Sequence, residues 1–372
     1  MANFIPVNQP LLDGREKEYI NDCLDTGWVS SEGAYVGKFE ASFAGEVNRA
    51  YGITVTNGSM ALEAAVIALG LGEGDEVIVT AFTIISCVSA IVKAGAVPVL
   101  VDCDPHTWNM DVEAIEKKIT PRTRAIMAVH IYGLPVDMEP VLNLADKYNL
   151  LIIEDAAEAI GQSYRGRACG SFGDISVFSF YPNKLVTTGE GGMIVTDSKE
   201  IADRCMKLRN LYFEPEARFV HEEMGWNLRI TNIQAALGLA QLERLGQHID
   251  RKIRIGRLYN ECLQDVKGLV LPVQKTDYAE NMYWIYGVVI NDDVSMTARE
   301  AMKSLADRNI GTRPFFYPMH QQPVFKKMGL FKGVSCPVSE RIAKRGFYIP
   351  SGLGITDEQI KQVSDEIKNL FL

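Results

Sequence analysis

The sequence predicts an α/β fold, a large domain on a mainly parallel sheet followed by a smaller C-terminal α+β unit. Three observations carry this. Short apolar runs at Glu76-Val77-Ile78-Val79, Val97 to Val101, Ala125 to Val129 and Leu150 to Ile153 are continuous, not alternating, as in strands buried on both faces. Helical stretches at Met60 to Leu69, Ile84 to Lys93 and Met138 to Tyr148 separate them, the spacing of strand–helix–strand crossovers. Beyond about residue 245 that alternation stops. We therefore expect a large domain at 1–245 and a small one at 246–372.

In chain order, Leu11 to Leu24 reads as a first helix with Gly14 near its start, then a turn rich in hydroxyls, Thr26 to Gly33, then a short helix from Phe39 to Val47. Ile53 to Val55 opens the strand series. Ile175 to Phe180 and Met193 to Thr196 are later strands. Thr231 to Leu245 is a strong helix, with Ile233, Ala236, Leu237 and Ala240 on one stripe. Ile249 to Leu263 is helical and charged. Tyr283 to Ile290 is strand-like with poor alternation. Thr297 to Asn309 and Thr356 to Leu372 are helices, the latter with Thr356 as N-cap. No repeat or low-complexity linker interrupts the chain.

The 372 residues are 47% hydrophobic and 23% charged, an ordinary globular composition with ample core material. A net charge of −9, with no basic stripe, argues against a nucleic-acid binder. Seven cysteines with no Cys-x-x-Cys pair speak against a disulfide framework or zinc site and for a reducing cytoplasm. Five scattered histidines form no ligand pair at helical spacing, so no metal is expected. Met-Ala-Asn-Phe-Ile-Pro has neither the charged head nor the long apolar run of a signal peptide, and no apolar stretch is long enough to span a membrane.

Three segments of the large domain carry chemistry. Thr56-Asn57-Gly58-Ser59 follows a strand and opens a helix. Free N–H groups at a helix start bind anions, and glycine permits close approach; the plainer reading is an N-cap at Ser59. Leu150 to Ile153 runs into Glu154-Asp155, at a strand's carboxyl end, where open α/β sheets bind ligands; Asp155 could equally cap a helix. Phe178-Ser179-Phe180-Tyr181-Pro182-Asn183-Lys184 then leads a strand into a lysine and a glycine-rich turn. Burial disfavours a lysine's charge, lowers its pKa and makes it a nucleophile for carbonyls. Lys184 is thus either an exposed loop lysine or a carbonyl-capturing amine, and Ser179 either a ligand or a core hydroxyl. Together these parts match the needs of pyridoxal phosphate. Its phosphate takes N–H donors and hydroxyls from Gly58, Ser59 and Ser179. Its ring nitrogen takes a carboxylate from Asp155, and its aldehyde an amine from Lys184.

The chain resembles the DegT/DnrJ/EryC1/StrS family of sugar aminotransferases, a branch of the fold-type I pyridoxal phosphate enzymes. The resemblance runs nearly end to end. It includes Gly27-Trp28-Val29-Ser30-Ser31, Asn57-Gly58-Ser59, Val129-His130-Ile131-Tyr132-Gly133 and Glu154-Asp155-Ala156-Ala157-Glu158. It continues through Phe178 to Lys184, Thr188-Gly189-Glu190-Gly191-Gly192, Gly225-Trp226-Asn227-Leu228-Arg229 and Arg313 to His320. It implies a seven-stranded, mainly parallel sheet in the large domain. It also implies that Lys184 binds the pyridoxal 5'-phosphate aldehyde, that Asp155 pairs with the ring nitrogen, and that Glu158 stands near the ring hydroxyl where relatives often have Gln. Asn227 matches an asparagine that reaches the phosphate from a partner subunit, so a homodimer with shared sites is implied. By resemblance, Trp28, Ser30, Arg229, Arg313, Tyr317 and His320 are substrate candidates. For the two arginines a surface ion pair is the alternative, and for His320 a core cluster.

The implied reaction moves an amino group from L-glutamate to a nucleotide-linked keto-sugar. The Val129 to Gly133 and Arg313 to His320 segments are most like the perosamine-forming branch, which acts on GDP-4-keto-6-deoxymannose and serves surface polysaccharides. Other keto-sugars stay open, as UDP-linked 4-keto or 3-keto hexoses or keto-sugar acids. Two positions depart from the pattern. Ile84 stands where an aromatic usually stacks on the cofactor, a loss of about 0.5–1.5 kcal/mol that Phe82 could offset. Tyr181-Pro182 replaces Phe-Gly, and the fixed proline φ implies another loop path. Two rival classes stand beside this one. A sugar dehydratase of this fold has histidine in place of Lys184, and a cofactor-binding regulator would carry a basic DNA-binding domain.

Overall fold

The computed structural model describes residues 4–214 and 219–371. Met1, Ala2, Asn3 and Leu372, which the N-terminal and terminal-helix readings touch, lie outside the described residues. The large domain begins with α1 (Glu16–Thr26) and α2 (Ala34–Glu46). Next come β1 (Tyr51–Val55), α3 (Gly58–Ala68), β2 (Glu76–Thr80), α4 (Ile85–Lys93) and β3 (Val97–Val101). β4 (Thr123–Val129), α5 (Met138–Tyr148) and β5 (Leu151–Asp155) lead to a two-stranded ribbon of β6 (Ser163–Tyr164) and β7 (Arg167–Ala168). β8 (Ile175–Ser179), β9 (Gly192–Thr196), α6 (Lys199–Arg209) and α7 (Asn232–Leu242) complete the domain.

Among the described residues, seven strands form one sheet in the order β1-β9-β8-β5-β4-β2-β3. β9 runs antiparallel to both its neighbours, β1 and β8, and the remaining pairings are parallel. The fold is α/β, as expected from the continuous apolar runs. β2 and β9 are buried along their whole length, which is why their sequences do not alternate.

The boundaries shift for local reasons. α1 begins at Glu16 and not Leu11, because the Glu16 carboxylate accepts the Gly14 N–H at 2.8 Å and the Gln241 amide holds the Leu11 carbonyl at 3.0 Å. α2 begins five residues before the expected Phe39. α7 starts at a reciprocal cap in which Thr231 and Gln234 satisfy each other's backbone N–H groups.

The second unit opens with α8 (Leu245–Leu263). It contains β10 (Leu269–Val270), β11 (Tyr286–Ile290), α9 (Ala298–Ala306) and β12 (Arg313–Pro314). α10 (Pro323–Lys327), α11 (Pro337–Arg345), β13 (Gly346–Ile349) and α12 (Asp357–Phe371) complete it. Its four strands pair antiparallel in the order β10-β11-β13-β12. One core of its own joins Tyr259 of α8, Tyr286 and Val288 of β11, and Ile360 of α12, while Val289, Phe315 and Ile342 pack into the core of the large domain. Ile5 enters this core too, its N–H bonded to the Asn309 carbonyl at 2.8 Å. The strand-like run from Tyr283 becomes a strand only at Tyr286. Tyr283 has φ 55°, so the chain bends there, and this explains the poor alternation. No helix among the described residues is long and apolar enough to cross a membrane.

Candidate active site

The carboxyl ends of β1, β2, β4, β5 and β8 share one edge of the sheet, where they and the loops after them open a cleft of about 560 Å³. That edge is where parallel sheets place ligands. Gly58, Ser59, Ile84, Asp155, Glu158, Ser179 and Lys184 all line the cleft.

The anion corner is built by the β1–α3 turn. Asn57, extended at φ −170°, caps α3 by accepting the Met60 N–H at 2.9 Å. The N–H groups of Gly58 and Ser59, in the first turn, have no acceptor within the helix. Gly58 is required by packing, since a Cβ there would lie 2.8 Å from the Cβ of Ser179. Ser59 Oγ is 2.6 Å from Ser86 Oγ in the first turn of α4, so a third hydroxyl joins those of Ser59 and Ser179.

Asp155 ends β5 and is buried. Its Oδ1 accepts the Ala157 N–H at 3.0 Å and its Oδ2 the Cys87 thiol at 3.2 Å. Burial raises its pKa, opposed by those two donors and by Lys184. Glu154, one residue earlier, points to the other face of the sheet. There it accepts from His130 Nε2 at 2.9 Å, Phe172 N–H at 2.8 Å and Ser176 Oγ at 2.9 Å. His130 Nδ1 accepts the Val136 N–H, which fixes the ring proton on Nε2. His130, Glu154 and Cys169 lie close enough to share a cation, but hydrogen bonds already occupy both Glu154 oxygens.

Lys184 sits in the loop between β8 and β9, its N–H donating to the Tyr181 carbonyl at 2.9 Å. Its Nζ lies 3.9 Å from Glu158 Oε1 and 3.6 Å from the centroid of the Trp284 ring. Burial lowers its pKa, against the pull of Glu158 and Asp155. Burial also pushes the Glu158 carboxyl up to about 7, against Lys184 and the Tyr132 N–H that its Oε2 accepts at 2.9 Å. A buried amine whose pKa is lowered, beside a carboxyl whose pKa is raised, is suited to capturing a carbonyl and moving a proton.

Ile84 is 43% exposed within the cleft, an aliphatic cover for a ring. Phe82 does not offset the missing aromatic. It is fully buried against Tyr132, Phe315 and Phe316. The Tyr181-Pro182 path is pinned by Asn8, whose amide donates to the Pro182 carbonyl at 3.0 Å.

The other candidates stand apart from the cleft. Asn227 is exposed and bridges Asn210 on the segment after α6. Arg229 donates to the Asn210 side chain. Trp28, Ser30, Arg313 and Tyr317 are exposed. His320 takes the buried alternative. It is buried, its Nε2 lies 2.8 Å from Glu340, and it lines a separate cavity with Lys326 and Phe331. Sequence reasoning missed Ser86, Cys87, Asn183, Trp284 and Tyr348. Ser86 and Cys87 lie two and three residues after Ile84 and could have been read as a helix start at a strand end. Trp284 and Tyr348 come from the C-terminal unit and carried no local signal.

The residues fit pyridoxal phosphate. First-turn N–H groups and three hydroxyls are placed for a phosphate, a buried carboxylate for a ring nitrogen and a desolvated amine for an aldehyde. The cleft also holds Asn183 Oδ1, a buried acceptor without a partner among the described residues.

Comparison with known proteins agrees. The DegT/DnrJ/EryC1/StrS aminotransferase family matches residues 10–368. The GDP-perosamine synthase of Escherichia coli O157:H7 is 43% identical over 369 residues, covering 99% of each chain. That of Vibrio cholerae is 40% identical over 368 residues, again covering 99% of each. Among solved structures, DesI in the presence of its TDP-sugar product superposes with a TM-score of 0.90 at 30% identity, covering 99% of this chain and 93% of that one.

Proposed function

The chain belongs to the DegT/DnrJ/EryC1/StrS aminotransferase family and is a pyridoxal-phosphate-dependent sugar aminotransferase; from there we propose that it moves the amino group of L-glutamate to a GDP-linked 4-keto-6-deoxyhexose of the mannose series, as a perosamine-forming enzyme. The observation that carries this reading is the convergence of Lys184, Asp155 and the Gly58–Ser59 helix start on one cleft, joined to two full-length relatives named for that product. A dehydratase would need histidine where Lys184 stands.

Bound pyridoxal phosphate supplies an electron sink that holds the amino group between donor and acceptor. The chain does the rest. Asp155, kept in place by Ala157 and Cys87, holds a proton on the ring nitrogen. Gly58, Ser59 and Ser179 take the phosphate. Ile84 would cover a face of the ring, and Glu158 would stand near its hydroxyl. The Lys184 amine, once free, shuttles the proton at the substrate carbon, a task its depressed pKa favours.

Asn227, exposed and outside its own cleft, is assigned to the site of a second copy in a homodimer. Trp28, Ser30, Arg229, Arg313 and Tyr317 are kept as candidate substrate contacts at such a shared site; His320, buried against Glu340, is read as a core residue. A cytoplasmic location, a role in O-antigen or other lipopolysaccharide synthesis, and the 245/246 domain division belong to the same proposal. A core made mostly of residues beyond 246 supports the division, although Ile5 packs with it and Trp284, Val289, Phe315 and Ile342 pack into the core of the large domain.

The test has two arms. Purified protein should show the bound cofactor's absorbance band, and L-glutamate should convert it to the amine form. A panel of GDP-, UDP- and TDP-linked keto-sugars, with products read by mass spectrometry, then fixes the acceptor. No spectral change with any amino donor removes the amino-transfer reading. Turnover of UDP- or TDP-sugars alone removes the GDP assignment.

A further inference from the structure

Trp284 is a residue that neither the motifs nor the family assignment calls upon. It is 6% exposed and lies in the bend before β11, yet it forms a wall of a cleft built otherwise mostly by the large domain. Three glycine- and turn-dependent contacts deliver it there. Tyr283, with φ 55°, turns the chain back. Its ring fits over Gly256 of α8, where a Cβ would sit 2.1 Å from Tyr283 Cδ2. On the other side, Gly133, at φ 95°, lies so close that its Cβ would fall 2.4 Å from the Trp284 backbone nitrogen. The Met282 N–H reaches the Gly133 carbonyl at 3.4 Å. The segment is held between α8 and the loop after β4 with little freedom.

From that position the indole makes two contacts with the loop that carries the reactive amine. Its Nε1–H donates to the Asn183 carbonyl at 2.8 Å, and its ring face lies 3.6 Å from Lys184 Nζ. Glu158 Oε1, at 3.9 Å, is the nearest carboxylate and lies beyond hydrogen-bonding distance. A ring face attracts an ammonium, and more strongly where water is excluded. Resting on the reading of Lys184 as the cofactor's amine, we propose that Trp284 is a positioning residue for that lysine. It anchors the Asn183–Lys184 backbone through its N–H and keeps the free amine at the cleft against its ring while the amino group is in transit.

The ionisable groups acting on Lys184 are Glu158, Asp155 and the Cys87 thiol, and all remain when Trp284 is changed. Loss of the ring therefore removes support for the ammonium and leaves burial to dominate. Cofactor-free full-length protein is mixed with pyridoxal 5'-phosphate across a pH series. Capture at Lys184 is followed by absorbance and, after borohydride reduction, by peptide mass. Trp284→Leu should move the pH midpoint of capture down by about half to one unit and slow its plateau rate about tenfold. Trp284→Phe, which keeps a ring face but no N–H, should hold the midpoint and share the slower plateau. A midpoint unmoved or raised in Trp284→Leu overturns the proposal. So does a wild-type plateau in Trp284→Phe, which serves alone if the leucine variant does not fold. Absence of capture at Lys184 in the wild-type chain overturns the cofactor reading itself, a failure visible without any variant.

Discussion

Replacing Glu158 by Gln isolates the carboxyl that shares the cleft with the reactive amine. Burial holds this group at about 7 in place of 4.5. Between those values the folded chain keeps a proton that the unfolded chain has released. The group's contribution to stability is therefore full below pH 4.5 and is lost as pH rises through about 7. The gap from 4.5 to about 7 corresponds to about 3 kcal/mol. For 372 residues at an unfolding entropy of ~2 cal/mol/K per residue, that is about 4 °C in melting temperature. Gln retains an oxygen for the Tyr132 N–H but cannot titrate. Lys184 works with the opposite sign: burial lowers its amine, so its contribution is full above 10.5 and lost as pH falls through its depressed value. Comparing the two proteins removes the rest of the chain and reports Glu158 together with its coupling to Lys184. Melting of the cofactor-free chains by circular dichroism from pH 4.5 to 7.5 should show the wild type losing about 4 °C relative to Glu158→Gln. Parallel curves would refute the assignment of a burial-raised carboxyl. The variant's Lys184, deprived of its neighbouring carboxylate, should also capture cofactor at lower pH than the wild type.

Lys184→Ala should still bind pyridoxal phosphate non-covalently, with no adduct after borohydride reduction, and lose about 10²–10⁴-fold or more in turnover; full turnover would refute its role. Asp155→Asn keeps the shape and the Ala157 hydrogen bond but not the charge, so single-turnover amino transfer should slow by about 10²–10³-fold with the donor's binding little changed. Gly58→Ala drives a methyl into Ser179, and titration of the cofactor should show weaker binding alongside a loss of about 1–3 kcal/mol in stability.

The local patterns of this chain determined more than its secondary structure. Continuous apolar runs can be satisfied only by strands covered on both faces, so the parallel sheet could be inferred from β2 to β5 read one at a time. A parallel sheet brings the loops at its strands' carboxyl ends to a single edge. That made Gly58, Asp155, Ser179 and Lys184 neighbours in the sequence reading, although they span more than a hundred positions. Alternation also separates Glu154 from Asp155 without any coordinates.

The sequence did not contain anything that depends on packing between distant segments. Phe82 looked available to cover a cofactor ring, and only the aromatic cluster with Tyr132, Phe315 and Phe316 shows that it is spoken for. His320 read as a pocket residue beside its aromatic neighbours, but the turn after β12 carries it to Glu340 and another cavity. Trp284 is the clearest case. Its place over Lys184 depends on two glycines, Gly133 and Gly256, far apart in the chain, whose missing Cβ atoms admit the bend that carries it. Periodicity records which face of an element is buried; it holds no term for the side chains a second unit lays across the first, and so the wall of the cleft was decided by the tertiary fold alone.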